Sequence, residues 1–140
     1  MYLYLSNNQS DQLYSGNTAS MFRIKLPTKI DVQPRGEWEV AIIDIDLPAL
    51  SEKYSPSYIT INSKICISSV FNSTMRPMLN RVYGNELLKG SPHYFDSPRY
   101  VPLSVESLEH VDIYLIDSKG MTPSFKEGQV SCTLHIRQNA

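Results

Sequence analysis

Charge is scarce in this sequence. Only 19% of its 140 residues are charged, and 13 Lys/Arg against 14 Asp/Glu leave a net charge of −1. Tight DNA or RNA binding needs surplus cations to neutralise phosphates, so no direct nucleic-acid binding is expected. Cysteine is almost missing. Cys66 and Cys132 are too few for a disulfide framework, and nothing places the chain in an oxidising compartment, so reduced thiols are expected. Neither lies in a C-x-x-C pair, and His93, His110 and His135 are scattered, so no metal site is expected. No apolar run approaches the roughly 20 residues of a membrane-spanning helix. The start, Met1-Tyr2-Leu3-Tyr4-Leu5-Ser6-Asn7, lacks the basic end and apolar stretch of a secretory leader, so none is expected. Without one, the sequons Asn8-Gln9-Ser10 and Asn72-Ser73-Thr74 carry no weight. What remains is the profile of one soluble, neutral domain. At 41% hydrophobic the chain is too apolar for a disordered tail and long enough to bury a single core.

Helical periodicity with capping signals is also nearly absent. One short candidate, Asn85-Glu86-Leu87-Leu88-Lys89, is stopped by Gly90 and Pro92, and Val105-Glu106-Ser107-Leu108-Glu109 has room for one turn. The dominant period is two. Phe22, Ile24 and Leu26 alternate with Arg23 and Lys25, which predicts a strand with one buried and one wet face. Tyr58–Ile61, Ile65–Ser68, Val111–Leu115 and Cys132–Arg137 alternate likewise. In Glu37–Pro48, Trp38, Val40 and Ile42 share one face, whereas Ala41, Ile43, Ile45 and Leu47 share the other. The apolar face changes sides near Ile42-Ile43, which predicts a long strand that bends through a bulge. Extended segments are expected near residues 2–6, 20–26, 37–47, 57–62, 64–70, 99–104, 110–117 and 130–137. Only Asn62-Ser63-Lys64 and Asp117-Ser118-Lys119-Gly120 read as local turns. Eight strands joined by long connections predict an all-β fold, a Greek-key sandwich or single jelly roll over residues 1–140. Residues 71–98 are the least regular and read as loops with at most one short strand. The expected core is Phe22, Ile24, Trp38, Ile42, Ile59, Ile61, Ile113, Leu115, Leu134 and Ile136.

No catalytic constellation emerges. Asp44 and Asp46 are two apart on one strand, which puts their carboxylates on the same side about 7 Å apart. Paired acids of this kind bind cations or move protons, but acids on a wet strand face explain them as well. His135 alternates with apolar neighbours, so it belongs on the polar face as a surface or subunit-contact residue. Nucleophile-elbow and phosphate-loop contexts are missing, so an enzyme is not expected, and no catalytic, cofactor or metal residue is assigned. The irregular stretch gathers Tyr83, Tyr94, Phe95 and Tyr100 with Arg76, Arg81 and Arg99. Tyr and Arg are favoured at protein contact centres, which makes these seven the candidate subunit contacts. Covering one end of the sandwich is the competing reading of the same residues.

Two stretches resemble a known family. The first holds Leu5-Ser6-Asn7, Asn17, Phe22-Arg23-Ile24-Lys25-Leu26-Pro27, Ile30-Asp31 and Gly36-Glu37-Trp38-Glu39-Val40-Ala41-Ile42, running on to Leu47-Pro48. The second holds Tyr100-Val101-Pro102-Leu103-Ser104, Val111-Asp112-Ile113-Tyr114-Leu115, Gly120, Pro123-Ser124-Phe125, Gly128 and Thr133-Leu134-His135-Ile136-Arg137. Together they resemble the minor capsid (penton) protein of Maverick/Polinton elements and adintovirus-like viruses. The likeness covers the two ends, a little over half of the chain; residues 49–98 align with nothing. It implies a single jelly roll at the vertices of an icosahedral virion, made and assembled inside the host cell. The implied partners are its own copies in a homopentamer, the surrounding double-jelly-roll major capsid protein, and a possible fibre or spike. The matched positions are strand and turn residues. The alternative expectation is a β-sandwich binding module that recognises glycan or protein through its Tyr-rich loops.

Overall fold

Backbone pairing in this chain is nested. The computed structural model describes residues 1–8, 16–34 and 36–139, so all but the first residue of the Asn8 sequon lies outside the described residues. In chain order the elements are β1 (Tyr2–Ser6), β2 (Met21–Asp31), β3 (Trp38–Asp46), β4 (Tyr58–Asn62), β5 (Ser69–Phe71), β6 (Thr74–Arg76) and β7 (Met78–Tyr83). There follow α1 (Gly84–Leu88), β8 (His93–Tyr94), β9 (Val101–Pro102), β10 (Ser107–Asp117) and β11 (Ser131–Gln138). Strand β4 pairs with β7, β3 with β8 and β9, β2 with β10, and β1 with β11, all antiparallel. Two further pairings, β11 with β3 and β10 with β4, roll this ribbon into two sheets. The first sheet has the order β1-β11-β3-β8, with β9 also on β3, and the second the order β2-β10-β4-β7. Hairpin β5-β6 stands apart.

The alternation read in the sequence sets which side faces in. In β2, Phe22, Ile24 and Leu26 are buried while Met21, Arg23 and Lys25 are exposed. One core cluster joins both sheets, with Leu5, Val40, Ile42, Ile45, Leu134 and Ile136 from the first and Phe22, Ile24, Ile59, Ile61, Ile113 and Leu115 from the second. Each such aliphatic side chain contributes about 1.5–3 kcal/mol by leaving water. The face change in β3 is a bulge. Thr133 stands opposite Asp44 and Leu134 opposite Ile42, which leaves Ile43 as the extra residue. Val40 and Ile42 point inward before it, and Ile45 and Leu47 after it. Among the described residues, no helix is long and apolar enough to cross a membrane.

Five expectations need correction. Among the described residues there are eleven strands rather than eight; the three not expected are β6, β7 and the short β8. Residues 71–98 are far from loop-like, since they hold β6, β7, α1 and β8. Strand β7 escaped because a bulge at its Leu79, between the partners of Ile61 and Asn62, breaks the alternation and buries Met78, Leu79 and Val82. Segment 64–70 is only partly extended. Ile65 and Cys66 are buried in a connection held by an isolated bridge from Cys66 to Leu103, and pairing begins again at Ser69. Trp38 is a half-buried rim residue whose Nε1 donates to the Gln33 carbonyl at 3.1 Å. An indole N–H needs such a partner, which keeps the ring at the edge. Ser107–Glu109 belongs to β10 instead of a helical turn, with a register shift between Leu108 and His110. The one-turn helix at 84–88 and the Asp117–Gly120 turn form as the sequence suggests.

Candidate functional site

The structure divides the seven candidate contact residues between two surfaces. Arg76, Arg81, Tyr83, Tyr94, Phe95 and Arg99 lie around the flank where edge strands β7 and β8 end the two sheets. Tyr100 does not join them.

At that flank, the two-residue loop Asn72-Ser73 folds β5 onto β6 and puts Phe71 opposite Thr74. Asn72 takes a positive φ of 54° there, a conformation that asparagine tolerates well. The Asn72-Ser73-Thr74 sequon is therefore an exposed hairpin tip. The hairpin carries Arg76 to within 4.8 Å of the Phe71 ring centroid, and the Arg81 guanidinium stands 6.0 Å from the same centroid. Arg81 also lies 4.7 Å over Tyr83 and 5.9 Å from Tyr58, whose ring meets Phe71 edge-on at 5.7 Å. Arg99 donates to the Ser69 hydroxyl at 3.1 Å, and Arg76 to the Thr60 hydroxyl at 3.3 Å. Among the described residues the ion pairs are Lys89–Glu86 and Arg137–Glu39, so none of these three arginines has a carboxylate within bonding distance. Asp112 Oδ1 accepts from the Ser63 hydroxyl at 3.1 Å and from the Lys64 N–H at 2.9 Å.

Two hollows meet at Arg81 and Tyr83. The larger, about 760 Å³, runs between β7 and the β8 region, with Tyr94 and Phe95 on its far wall. Tyr94 is 70% exposed, and Phe95 is anchored by its N–H to the Ile43 carbonyl at 2.9 Å. The bulge residue of β3 thus holds this wall in place. His93 lines the same groove; burial pushes its pKa below the ordinary value, although Glu86 and Asp46 pull it up. The smaller hollow, about 510 Å³, lies between the β5-β6 hairpin and β7.

Tyr100 sits instead on the outer face of the first sheet with His135. Its hydroxyl and His135 Nδ1 share a 2.8 Å hydrogen bond, and Tyr2 stacks on the imidazole with centroids 4.5 Å apart. Arg137 lies 3.5 Å over the Tyr100 ring and pairs with Glu39 at 2.7 Å. Burial, the neighbouring amino terminus and Arg137 all push the His135 pKa below its ordinary value. His135 is on the polar face as the alternation predicts, though covered. Sequence reasoning missed Tyr2, Tyr58, Phe71 and Arg137 as members of these clusters. Tyr2 was discoverable from the Tyr2-Leu3-Tyr4-Leu5 alternation, which puts both tyrosines on an outer face.

The remaining candidates stay apart. Asp44 is half-buried and Asp46 exposed on β3, and among the described residues no group of three or more His, Cys, Asp or Glu is placed to hold a metal ion. Cys66 and Cys132 are free and buried; burial, with a smaller push from nearby acids, raises their thiols to about 11 and about 12. They are protonated at neutral pH. No protein-family model matches the chain, and no curated protein matches it significantly.

Proposed function

We propose that this protein is a single jelly-roll, penton-type capsid subunit that assembles as a homopentamer and closes the fivefold vertices of an icosahedral shell. Its role is structural rather than catalytic, it works in the virion, and its other partner is the major capsid protein around the vertex. The observation that carries the reading is the nested strand order. A single ribbon whose outermost strands pair last, rolled so that β11 meets β3 and β10 meets β4, is the pairing expected of two interlocked Greek keys and supports the jelly-roll reading. Such a slab keeps two opposite flanks, β1 with β2 at one end and β7 with β8 at the other.

Those flanks suit a ring. Cyclic symmetry requires one surface of a subunit to meet a different surface of the next. Tyr2 and Tyr4 are exposed on one flank, Tyr83 and Tyr94 on the other. Strands β1 and β8 run antiparallel, because three antiparallel steps separate them. A head-to-tail neighbour whose β1 approached β8 would therefore keep the pairing sense of the sheet. Modest contacts repeated around the ring, and again to the surrounding shell, add up through multivalency. The likeness of the two chain ends to penton proteins points the same way.

Native mass measurement and negative-stain images of the purified chain test this. A species of five copies with a fivefold ring is expected. Monomers alone at high concentration, with no cyclic particle, refute it.

A further inference from the structure

We infer that the open edge of β7, with the smaller hollow beside it, is a docking site for an extended acidic segment of a partner protein. The inference rests on this flank being a contact surface, as proposed above, but not on how many copies form a ring.

Three observations meet at Arg81 and Tyr83. The first is backbone. Gly84 donates to the Ser57 carbonyl at 2.7 Å, and Tyr83 stands opposite Tyr58. In antiparallel pairing the hydrogen-bonded positions then fall at Val82 and Asn80, so Arg81 and Tyr83 turn their own N–H and C=O away from β4, toward the open side. The Arg81 N–H is already taken by the Asn80 side chain at 2.9 Å. The Arg81 carbonyl and the Tyr83 N–H are left as an acceptor and a donor flanking Val82. One residue of an incoming strand can satisfy both, as in strand addition to a sheet edge.

The second is charge. The hollow of about 510 Å³ is lined by Arg81 and Arg99 and contains no carboxylate. Arg76 stands behind Phe71, and none of the three has an acidic partner within bonding distance. Guanidinium groups gathered without counter-charges repel one another, and carboxylates arriving from outside relieve that while forming bidentate pairs. The acids of this region, Glu86 and Asp96, line the larger groove on the other side of β7. An acidic ligand is thereby steered to the β5-β6 side.

The third is apolar surface. Val70, Met75 and Tyr83 are 75%, 61% and 47% exposed along the same stretch. Arg81 and Tyr83 are two apart and share one face of β7, with the Arg81 guanidinium over the Tyr83 ring, so the side chains of an added strand that reach Arg81 also lie across Tyr83, and Val70 lines the same hollow. A sulfated polysaccharide would use the charge but neither the edge groups nor the apolar strip, which favours a peptide.

The test uses the full chain and a fluorescein-labelled peptide of alternating glutamate and valine, read by fluorescence polarisation. Binding is expected to weaken at least tenfold in Arg81→Glu and in Arg99→Glu and to fall with rising salt. Lys126→Glu, an exposed charge change in the connection between β10 and β11, should leave it unchanged, with circular dichroism confirming that each variant is folded. The same peptide methylated on its backbone nitrogens should also lose binding, because it can no longer donate to the Arg81 carbonyl. Equal binding to the Arg81→Glu/Arg99→Glu double variant overturns the inference. So does undiminished binding of the methylated peptide, or binding of a heparin fragment without binding of the peptide. Because polarisation reads peptide binding and native mass reads the oligomer, failure of one reading is visible separately from failure of the other.

Discussion

Removing one hydroxyl should test a three-bond polar clamp at the end of β10. Tyr54 lies in the connection between β3 and β4, and its hydroxyl donates to Asp117 Oδ2 at 2.6 Å, at the end of β10. Asp117 Oδ1 accepts two more bonds, from the N–H groups of Lys119 and Met121, each at 2.9 Å. Asp117 is only 3% exposed, and burial alone would push its carboxyl up. The Tyr54 hydroxyl, the two N–H groups and the Lys119 charge outweigh burial and hold it below its usual value. Tyr54→Phe deletes one bond to an ionised acceptor and leaves that oxygen buried without a partner, which costs about 2 kcal/mol. For a domain of this size that lowers Tm by about 6–8 °C. Asp117→Ala loses all three bonds, but Lys119 and Met121 are exposed and their N–H groups can turn to water, so the total is about 3–4 kcal/mol. The double variant should show a coupling of about 2 kcal/mol in a urea-denaturation cycle.

The pH dependence has a definite sign. A carboxyl whose folded pKa lies below its unfolded value, about 4, adds stability that is complete above that pH. The contribution is lost as the pH falls through the folded pKa. Parent and Asp117→Ala should therefore differ most near pH 7 and converge in acid. A Tyr54→Phe variant within about 0.5 kcal/mol of the parent, or a gap to Asp117→Ala that stays constant down to pH 2, refutes the reasoning.

Two further outcomes follow from the packing. Gly128 has a φ of +149°, and a Cβ built there would stand 2.7 Å from Pro48 Cβ; with a stiff ring as neighbour, Gly128→Ala should lose about 2–3 kcal/mol in thermal unfolding. Deleting Ile43 removes the bulge residue and leaves Ile42 and Ile45 still facing inward around Asp44, so that variant should fold with a modest loss. Deleting Ala41 instead turns one side of β3 over and should give no cooperative transition by circular dichroism; the opposite order would show that the bulge does not set the register.

Much of the fold was legible because alternation is a local property. The faces of β2, β10 and β11 follow from residues two apart, and even the bulge in β3 shows as a change of apolar side at Ile42-Ile43. Strand β7 was not legible, because its bulge at Leu79 exists only against β4. Ile65 and Cys66 alternate like a strand, yet both are buried by a bridge to Leu103, and no local pattern distinguishes a buried connection from a strand.

The candidate contacts divided for the same reason. Arg99 and Tyr100 are adjacent in the chain, but Arg99 turns to Ser69 and Tyr100 to His135. Local sequence determined that the chain is β-rich, which side of most strands is apolar, and where a helix could last only one turn. Tertiary pairing decided which arginines share a ring and which edges stay open. Those outcomes depend on register between strands from opposite ends of the sequence, as where Leu5 meets Cys132 and Tyr2 meets His135, and register is a property of two strands together rather than of either alone.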